Sequence, residues 1–392
     1  MTTPAELLAE AEALLPTVVE LRRAIHREPE VGLELPRTQA RIVEHLRALG
    51  LEPTLGRSLS SVTVRIDGAA SGPTRLIRAD MDALPLQEDT GLPYASQHPG
   101  AMHACGHDAH VAMALGAAEL LVCHRDELSG SVVFMFQPGE EGHDGARRML
   151  EEGLLAQHEP SQALAIHIFS SIPAGVIATR GGPIMASADE FEIRLVGKGG
   201  HASAPHQARD PIPAAAELVL ALQSAITRSV DIFDPTVLTV GQLSAGSTFN
   251  IIPESALVRG TWRALSDATR ALVRERIAAV ARGVAQAHGL DLELAWPMHG
   301  YPVTHNDPRE AAHVLELARS LVGSERAVEL SNPIMGAEDF SYVLQQVPGA
   351  MVFLGAAPTG VAEPYANHSN RMIIEESSLA VGVALEAAWA LA

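Results

Sequence analysis

The sequence predicts an α/β protein, with a mixed, largely parallel sheet between helices and an inserted α+β domain. Three observations carry that expectation. Short β-rich runs alternate with helical segments up to Gly181-Gly182-Pro183, the texture changes there, and the first texture returns after Trp296-Pro297. Strands that alternate with helices form sheets covered on both faces, and ligands then collect beyond the carboxyl ends of the strands.

Thr3, followed by Pro4 and Glu6, reads as a capping box with proline at the first helical position. Leu7, Leu8, Leu14 and Leu15 continue at helical spacing, with a kink expected at Pro16. A second helix is predicted from Pro36 to Leu49, stopped by Gly50. Val62, Val64 and Ile66, then Leu76-Ile77, Val132 to Phe136 and Ala163 to Ile168 read as strands, separated by helices at Ala109 to Cys123 and Gly145 to Leu150. Beyond Met185, Phe191, Ile193 and Leu195 alternate with polar residues, as in a strand with one wet face. Helix Pro213 to Arg228, strands Val237 to Val240 and Ala256 to Trp262, and helix Asp267 to His288 complete that unit. The domains are therefore expected at 1–184 with 296–392, and at 185–295. Helices Pro308 to Leu321 and Glu376 to Leu391 close the first one.

A chain of 392 residues is long for one core, which agrees with two domains. Its net charge of −19 disfavours nucleic-acid backbones and anionic membranes as partners. The two cysteines, Cys105 and Cys123, exclude a disulfide scaffold and fit a reducing cytoplasm, and no basic-then-apolar leader pattern opens the sequence. No apolar run reaches the roughly 20 residues of a membrane-spanning helix, since Glu386 interrupts the alanine-rich tail.

The densest chemistry lies in His103-Ala104-Cys105-Gly106-His107-Asp108-Ala109-His110. Thiolate and imidazole side by side suit zinc, cobalt, nickel or manganese better than magnesium or calcium. The alternative is a set of polar histidines around a small core cysteine. After the strand Val132 to Phe136, Glu140 and Glu141 emerge together in Gln137-Pro138-Gly139-Glu140-Glu141-Gly142. One carboxylate can hold a cation while its neighbour serves as a general base, or both can decorate a helix N-terminus. His167 closes an apolar strand and His368 lies near the C-terminus. Either is unremarkable alone, and convergence with the other groups is what would make a site.

These motifs resemble the metallopeptidase and aminoacylase family of dinuclear-metal amidohydrolases, which includes hippurate hydrolases, indole-acetyl-amino-acid hydrolases and N-acetyl-diaminopimelate deacetylases. The resemblance runs from His26-Arg27-Glu28-Pro29-Glu30 through Arg78 to Pro85, His103 to His110, Pro138 to Glu141, Gly199 to His206, Asn250 to Pro253, Gly260 to Arg263 and Gly336 to Phe340, ending at His368. It implies a metallopeptidase-type catalytic domain, an inserted dimerisation and lid domain, and two divalent ions per subunit (Zn, Mn, Co or Ni). By that resemblance Cys105 bridges the ions, His107 and His167 complete one set, and Glu141 and His368 the other. Glu140 becomes the general base acting on a metal-bridging water. Asp80 and Asp108 become supporting carboxylates, His201 an oxyanion donor reaching a partner subunit, and Asn250 and Arg263 substrate-binding groups. The sequence departs from the usual pattern at Gly139, where alanine is frequent, and at Met372, where an aromatic residue is usual.

The implied reaction is hydrolysis of the amide bond of N-acyl amino acids by a cytoplasmic homodimer. Alternatives are a dipeptidase or carboxypeptidase acting on small peptides, and a metal-binding relative without catalysis.

Overall fold

The computed structural model describes residues 2–297 and 300–392. The chain first forms α1 (Pro4–Arg27), α2 (Pro36–Ala48), β1 (Thr54–Leu55), β2 (Val62–Asp67), β3 (Ala70–Asp80), α3 (His107–Cys123), β4 (Ser129–Gln137), α4 (Gly145–Glu151), α5 (Leu154–His158), β5 (Gln162–Pro173), β6 (Ile177–Thr179) and β7 (Gly182–Met185). It continues with β8 (Asp189–Val196), β9 (Gly200–His201), α6 (Pro211–Ser229), β10 (Thr236–Ala245), β11 (Ile251–Ile252), β12 (Ser255–Ala264), α7 (Asp267–Ala287), β13 (Asp291–Ala295) and β14 (Thr304–Asn306). Last come α8 (Pro308–Val322), β15 (Ala327–Glu329), α9 (Ser341–Leu344), β16 (Gly349–Ala357) and α10 (Ser378–Leu391).

Two compact units result. The first takes the described residues of 1–184, 305–332 and 339–392, and the second those of 185–304 and 333–338. Two stretches expected in the first domain, the described part of 296–304 and residues 333–338, thus belong with the second unit. Backbone bridges explain this: Ala188 exchanges hydrogen bonds with Tyr301, and the Ala186 N–H donates to the carbonyls of Ile334 and Gly336.

In the first unit the sheet order is β1-β2-β4-β3-β5-β16-β6-β15. Strands β4, β3, β5 and β16 run parallel at its centre, while β2 and β6 join them antiparallel. Strand β4 is buried through Val132-Val133-Phe134-Met135-Phe136, which is why it reads as an unbroken apolar run rather than an alternation. Helices α1, α3 and α10 pack on one another. Nearly every residue of α3 and α10 is buried, as expected of helices apolar all round. The capping box at Thr3 and Glu6 forms, and α1 runs on through Pro16 to Arg27. Gly50, with φ +76°, ends α2.

In the second unit β10-β12-β8-β13 form an antiparallel sheet. Phe191, Ile193 and Leu195 of β8 point into a core with Leu218 and Leu222 of α6, Val273 and Ile277 of α7, and Trp262. The other face of β8 is only half-buried, as its alternation predicts. Among the described residues no helix is long and apolar enough to cross a membrane.

Candidate metal centre

The carboxyl ends of the central parallel strands of the first unit bring the predicted residues together. Strand β3 ends at Asp80, paired with Gln137 at the end of β4, three residues before Glu140. His167 lies on β5 opposite Phe353 of β16. Cys105 and His107 flank Gly106, whose φ of +90° turns the chain into α3. A Cβ at Gly106 would stand 2.4 Å from Cγ2 of Ile168, so glycine alone fits this turn.

Ligand atoms of Cys105, His107 and His167 lie within 4.8 Å of one another, as do those of Cys105, Glu141 and His368, and those of His107, Glu140 and Glu141. The Cys105 Sγ is 3.4 Å from Nε2 of His167. Nε2 of His368 is 3.2 Å from Oε1 of Glu141. His167 donates its Nδ1–H to the carbonyl of Ile168 at 2.9 Å, which leaves the Nε2 lone pair turned toward the thiol. His107 is fully buried, yet among the described residues neither ring nitrogen has a hydrogen-bond partner; its closest carboxylate oxygens there are those of Asp80 at 3.4 Å and Asp82 at 3.6 Å. Such an orphaned buried imidazole is costly unless an ion satisfies it.

Electrostatics point the same way. Burial pushes the Cys105 thiol up, against the pull of His107, so its thiolate needs a cation close by. Burial opposes the charged form of His107, but Asp80 and Cys105 outweigh it and hold the ring well above the usual imidazole range. Hydrogen bonding to Cys105 and Glu141 pushes His368 up to about 10. Burial raises Glu141, yet the His368 bond and the His107 charge leave it lowered. Burial drives His167 well below the normal range, leaving it neutral, as a metal-binding imidazole must be. The pocket thus sets carboxylates and a thiol against imidazoles whose protons a cation can replace. Its donor set of thiolate, imidazoles and carboxylate fits borderline divalent metals.

A second layer of side chains holds these groups. Arg78, buried, donates to Asp80 at 2.8 Å, Gln137 at 2.9 Å and Asp339 at 3.1 Å. Asp80 also takes the Nδ1–H of His110, whose Nε2 accepts the N–H of Ile168 at 2.8 Å. Asp82 accepts the backbone N–H groups of Glu140 at 3.0 Å and Glu141 at 3.1 Å, fixing how the carboxylate pair leaves the strand. Asp82 and His110 were not predicted as site residues, although both lie inside the motifs. Asp108, expected to support the ligands, turns instead to Arg22 at 2.8 Å and His26 at 2.7 Å. His103 is buried, and among the described residues it has no side-chain hydrogen-bond partner and joins none of the candidate ligand groups. Gly139 has φ +74°, and a Cβ there would approach Leu33 Cδ2 to 2.5 Å, so alanine does not fit this backbone without a shift of Leu33. Met372 is buried in the core, its Cε close beneath Gly106, and so packs the α3 turn rather than lining an open pocket.

His201, Asn250 and Arg263 lie in the second unit. His201 is exposed on β9, paired with Ile251 of β11, and its Nδ1 accepts the N–H of Ser203 at 3.1 Å. Asn250 lines the same shallow depression as His201. Arg263, on β12, is half-buried, and burial pushes its guanidinium down from its usual value.

Residues 76–392 match the family model described as Peptidase family M20/M25/M40. Thermostable carboxypeptidase 1 of Saccharolobus solfataricus is 38% identical over 377 residues, covering 95% of this chain and 94% of that protein. N-acetyldiaminopimelate deacetylase of a Geobacillus strain is 38% identical over 370 residues, 93% of this chain and 95% of its own. The crystal structure of Bacillus subtilis YXEP, described as a dinuclear metal binding peptidase from the M20 family, superposes with a TM-score of 0.81 at 33% identity, covering 97% of this chain and 98% of that one. With both chain and fold matched over nearly their full length, the protein is a member of peptidase family M20/M25/M40 and a hydrolase of peptide-like amide bonds.

Proposed function

We propose that this enzyme hydrolyses the amide bond of N-acyl amino acids. Cys105, His107 and His167 would hold one divalent cation and Cys105, Glu141 and His368 a second, with the Cys105 thiolate shared. Divalent cations bound there supply Lewis acidity and lower the pKa of water from about 15.7 to about 7. Glu140 takes the proton of the attacking water and returns it to the leaving nitrogen, so the carboxylate is regenerated with each turnover. Asp82 steadies Glu140 through its backbone N–H. His201 serves as an oxyanion donor worth about 3 kcal/mol, and Asn250 and Arg263 bind the substrate, Arg263 gripping the α-carboxylate with its planar fork.

The observation that carries this reading is the gathering of five ligand residues from distant parts of the chain, with the Glu140 carboxylate within 4.8 Å of ligand atoms of His107 and Glu141. Glu140→Gln is expected to retain its metal while turnover of an N-acetyl or N-benzoyl amino acid falls by about 10²- to 10⁴-fold. Near-normal turnover would remove Glu140 from the mechanism. The carboxypeptidase named among the relatives favours a second reading, a carboxypeptidase or dipeptidase. A panel of N-acyl amino acids beside dipeptides separates the two by their kcat/KM.

The second unit would carry the dimer contact. Its edge strand β10 leaves Val237 and Leu243 exposed, and Phe233 and Phe249 project almost wholly into solvent. An uncovered edge with apolar side chains is a template for pairing with another copy. The thiol of Cys105 and the exposed, unbridged Cys123 fit a cytoplasmic setting.

A further inference from the structure

The segments that carry Cys105, His167 and His368 come from remote stretches of chain, and one side chain touches all of them. The Nδ2 of Asn367 donates to the carbonyl of Cys105 at 3.0 Å and to that of Ile168 at 2.9 Å. Its Oδ1 accepts the N–H of Ser170 at 3.1 Å, and the Ser170 hydroxyl lies 3.1 Å from the same oxygen with the Tyr365 carbonyl, at 2.8 Å, as its nearer acceptor. Both N–H donors of the amide and its oxygen are thereby partnered. The opposite orientation of the amide would set its oxygen against two carbonyls, so the assignment is fixed by its partners.

The Ile168 carbonyl is the one that also receives the Nδ1–H of His167. Asn367 therefore shares the acceptor that sets the tautomer and tilt of that imidazole. On the other side of the same residue, β3 leaves β5 after the pair Arg78 and Ala165, and the Ile168 N–H, no longer needed by β3, goes to His110. The next residue in chain, His368, has φ +71°, a left-handed conformation that is disfavoured for a residue with a side chain. Its N–H is tied to the carbonyl of Ala104 at 2.7 Å. With its preceding side chain clamped to the Cys105 and Ile168 carbonyls, the His368 backbone is held in this conformation rather than left to relax.

We propose that Asn367 is a positioning residue: a single amide that fixes the mutual placement of Cys105, His167 and His368. The inference rests on the metal-binding reading above. Asparagine suits the task because aspartate, of the same shape, cannot donate to the two carbonyls, and alanine reaches none of the partners.

The test uses the full-length protein stripped of metal, titrated with Co²⁺ in competition with a chromophoric chelator. Thermal unfolding of each metal-free form is recorded alongside. For Asn367→Asp and Asn367→Ala, Co²⁺ affinity is expected to fall about 10- to 100-fold, as for other residues that orient metal ligands. The thiolate-to-cobalt charge-transfer band should weaken or shift, a change that general destabilisation would not produce in protein that is still folded. Ser170→Ala, which removes the hydroxyl lying between Oδ1 and the Tyr365 carbonyl, is expected to show a smaller loss in the same direction, and keeps the test open if the Asn367 variants fold poorly. Wild-type affinity and an unchanged band in folded Asn367 variants, or in Ser170→Ala when those do not fold, would overturn the positioning role alone. A wild-type protein that gives no thiolate-to-cobalt band would overturn the metal reading itself, and this inference with it.

Discussion

His107 and Asp108 are neighbours in the sequence but serve different assemblies, because a helix turns by about 100° per residue. His107 and His110, three apart, share the face that looks toward the ligand cluster, and their rings stack at 5.4 Å. Asp108 is rotated off that face and meets Arg22 and His26 of α1. Sequence adjacency to a ligand therefore misleads where helical phase does not. The same scale sets the cost of Arg78, whose guanidinium stands among the buried carboxylates of Asp80 and Asp339. Arg78→Met leaves both without that cation, and stability should drop by about 3–5 kcal/mol, as on breaking other buried pairs. Thermal or urea unfolding measures this, and a change no larger than that of a surface substitution would show that the network contributes little.

At the scale of elements, the capping box of α1, the glycine stop of α2 and the apolar strand β4 were legible because their signals are local. The candidate ligand motif stood out for the same reason: Gly106 places Cys105 and His107 within three residues. Asn367 was not, since its partner Cys105 lies 262 positions away and nothing near residue 367 records that contact. Asp82 escaped notice likewise, its role resting on backbone N–H groups 58 and 59 residues on. Helix α10 contains an oddity of its own, Glu386, buried in an otherwise apolar helix, where burial holds its carboxyl well above 4.5. Above pH 4.5 the unfolded chain ionises this group while the fold retains the proton, so stability falls as pH climbs toward the folded-state pKa. Glu386→Gln keeps the shape without the ionisation. Melting curves recorded from pH 4.5 upward should show a shallower decline for the variant; parallel curves would mean that Glu386 titrates as it does in water.

For the whole molecule, the alternation of strands and helices foretold the mixed sheet, and the second compact unit begins at Met185. Its return was harder to read, because residues 333–338 rejoin it through backbone bridges to Met185 and Ala186 that no periodicity reveals. If the β10 edge pairs two copies, Leu243→Lys should shift the protein from dimer to monomer in light scattering coupled to gel filtration. A dimer unaffected by the change would move the contact elsewhere. If the scattered residues form one dinuclear site around Cys105, the number of bound metal ions shows it most directly. After loading with Zn²⁺ or Mn²⁺ and removal of excess, elemental analysis should find two ions per chain in the wild type and a loss of one or both in Cys105→Ala. A wild type that keeps none, or a Cys105→Ala protein that keeps both, would contradict it.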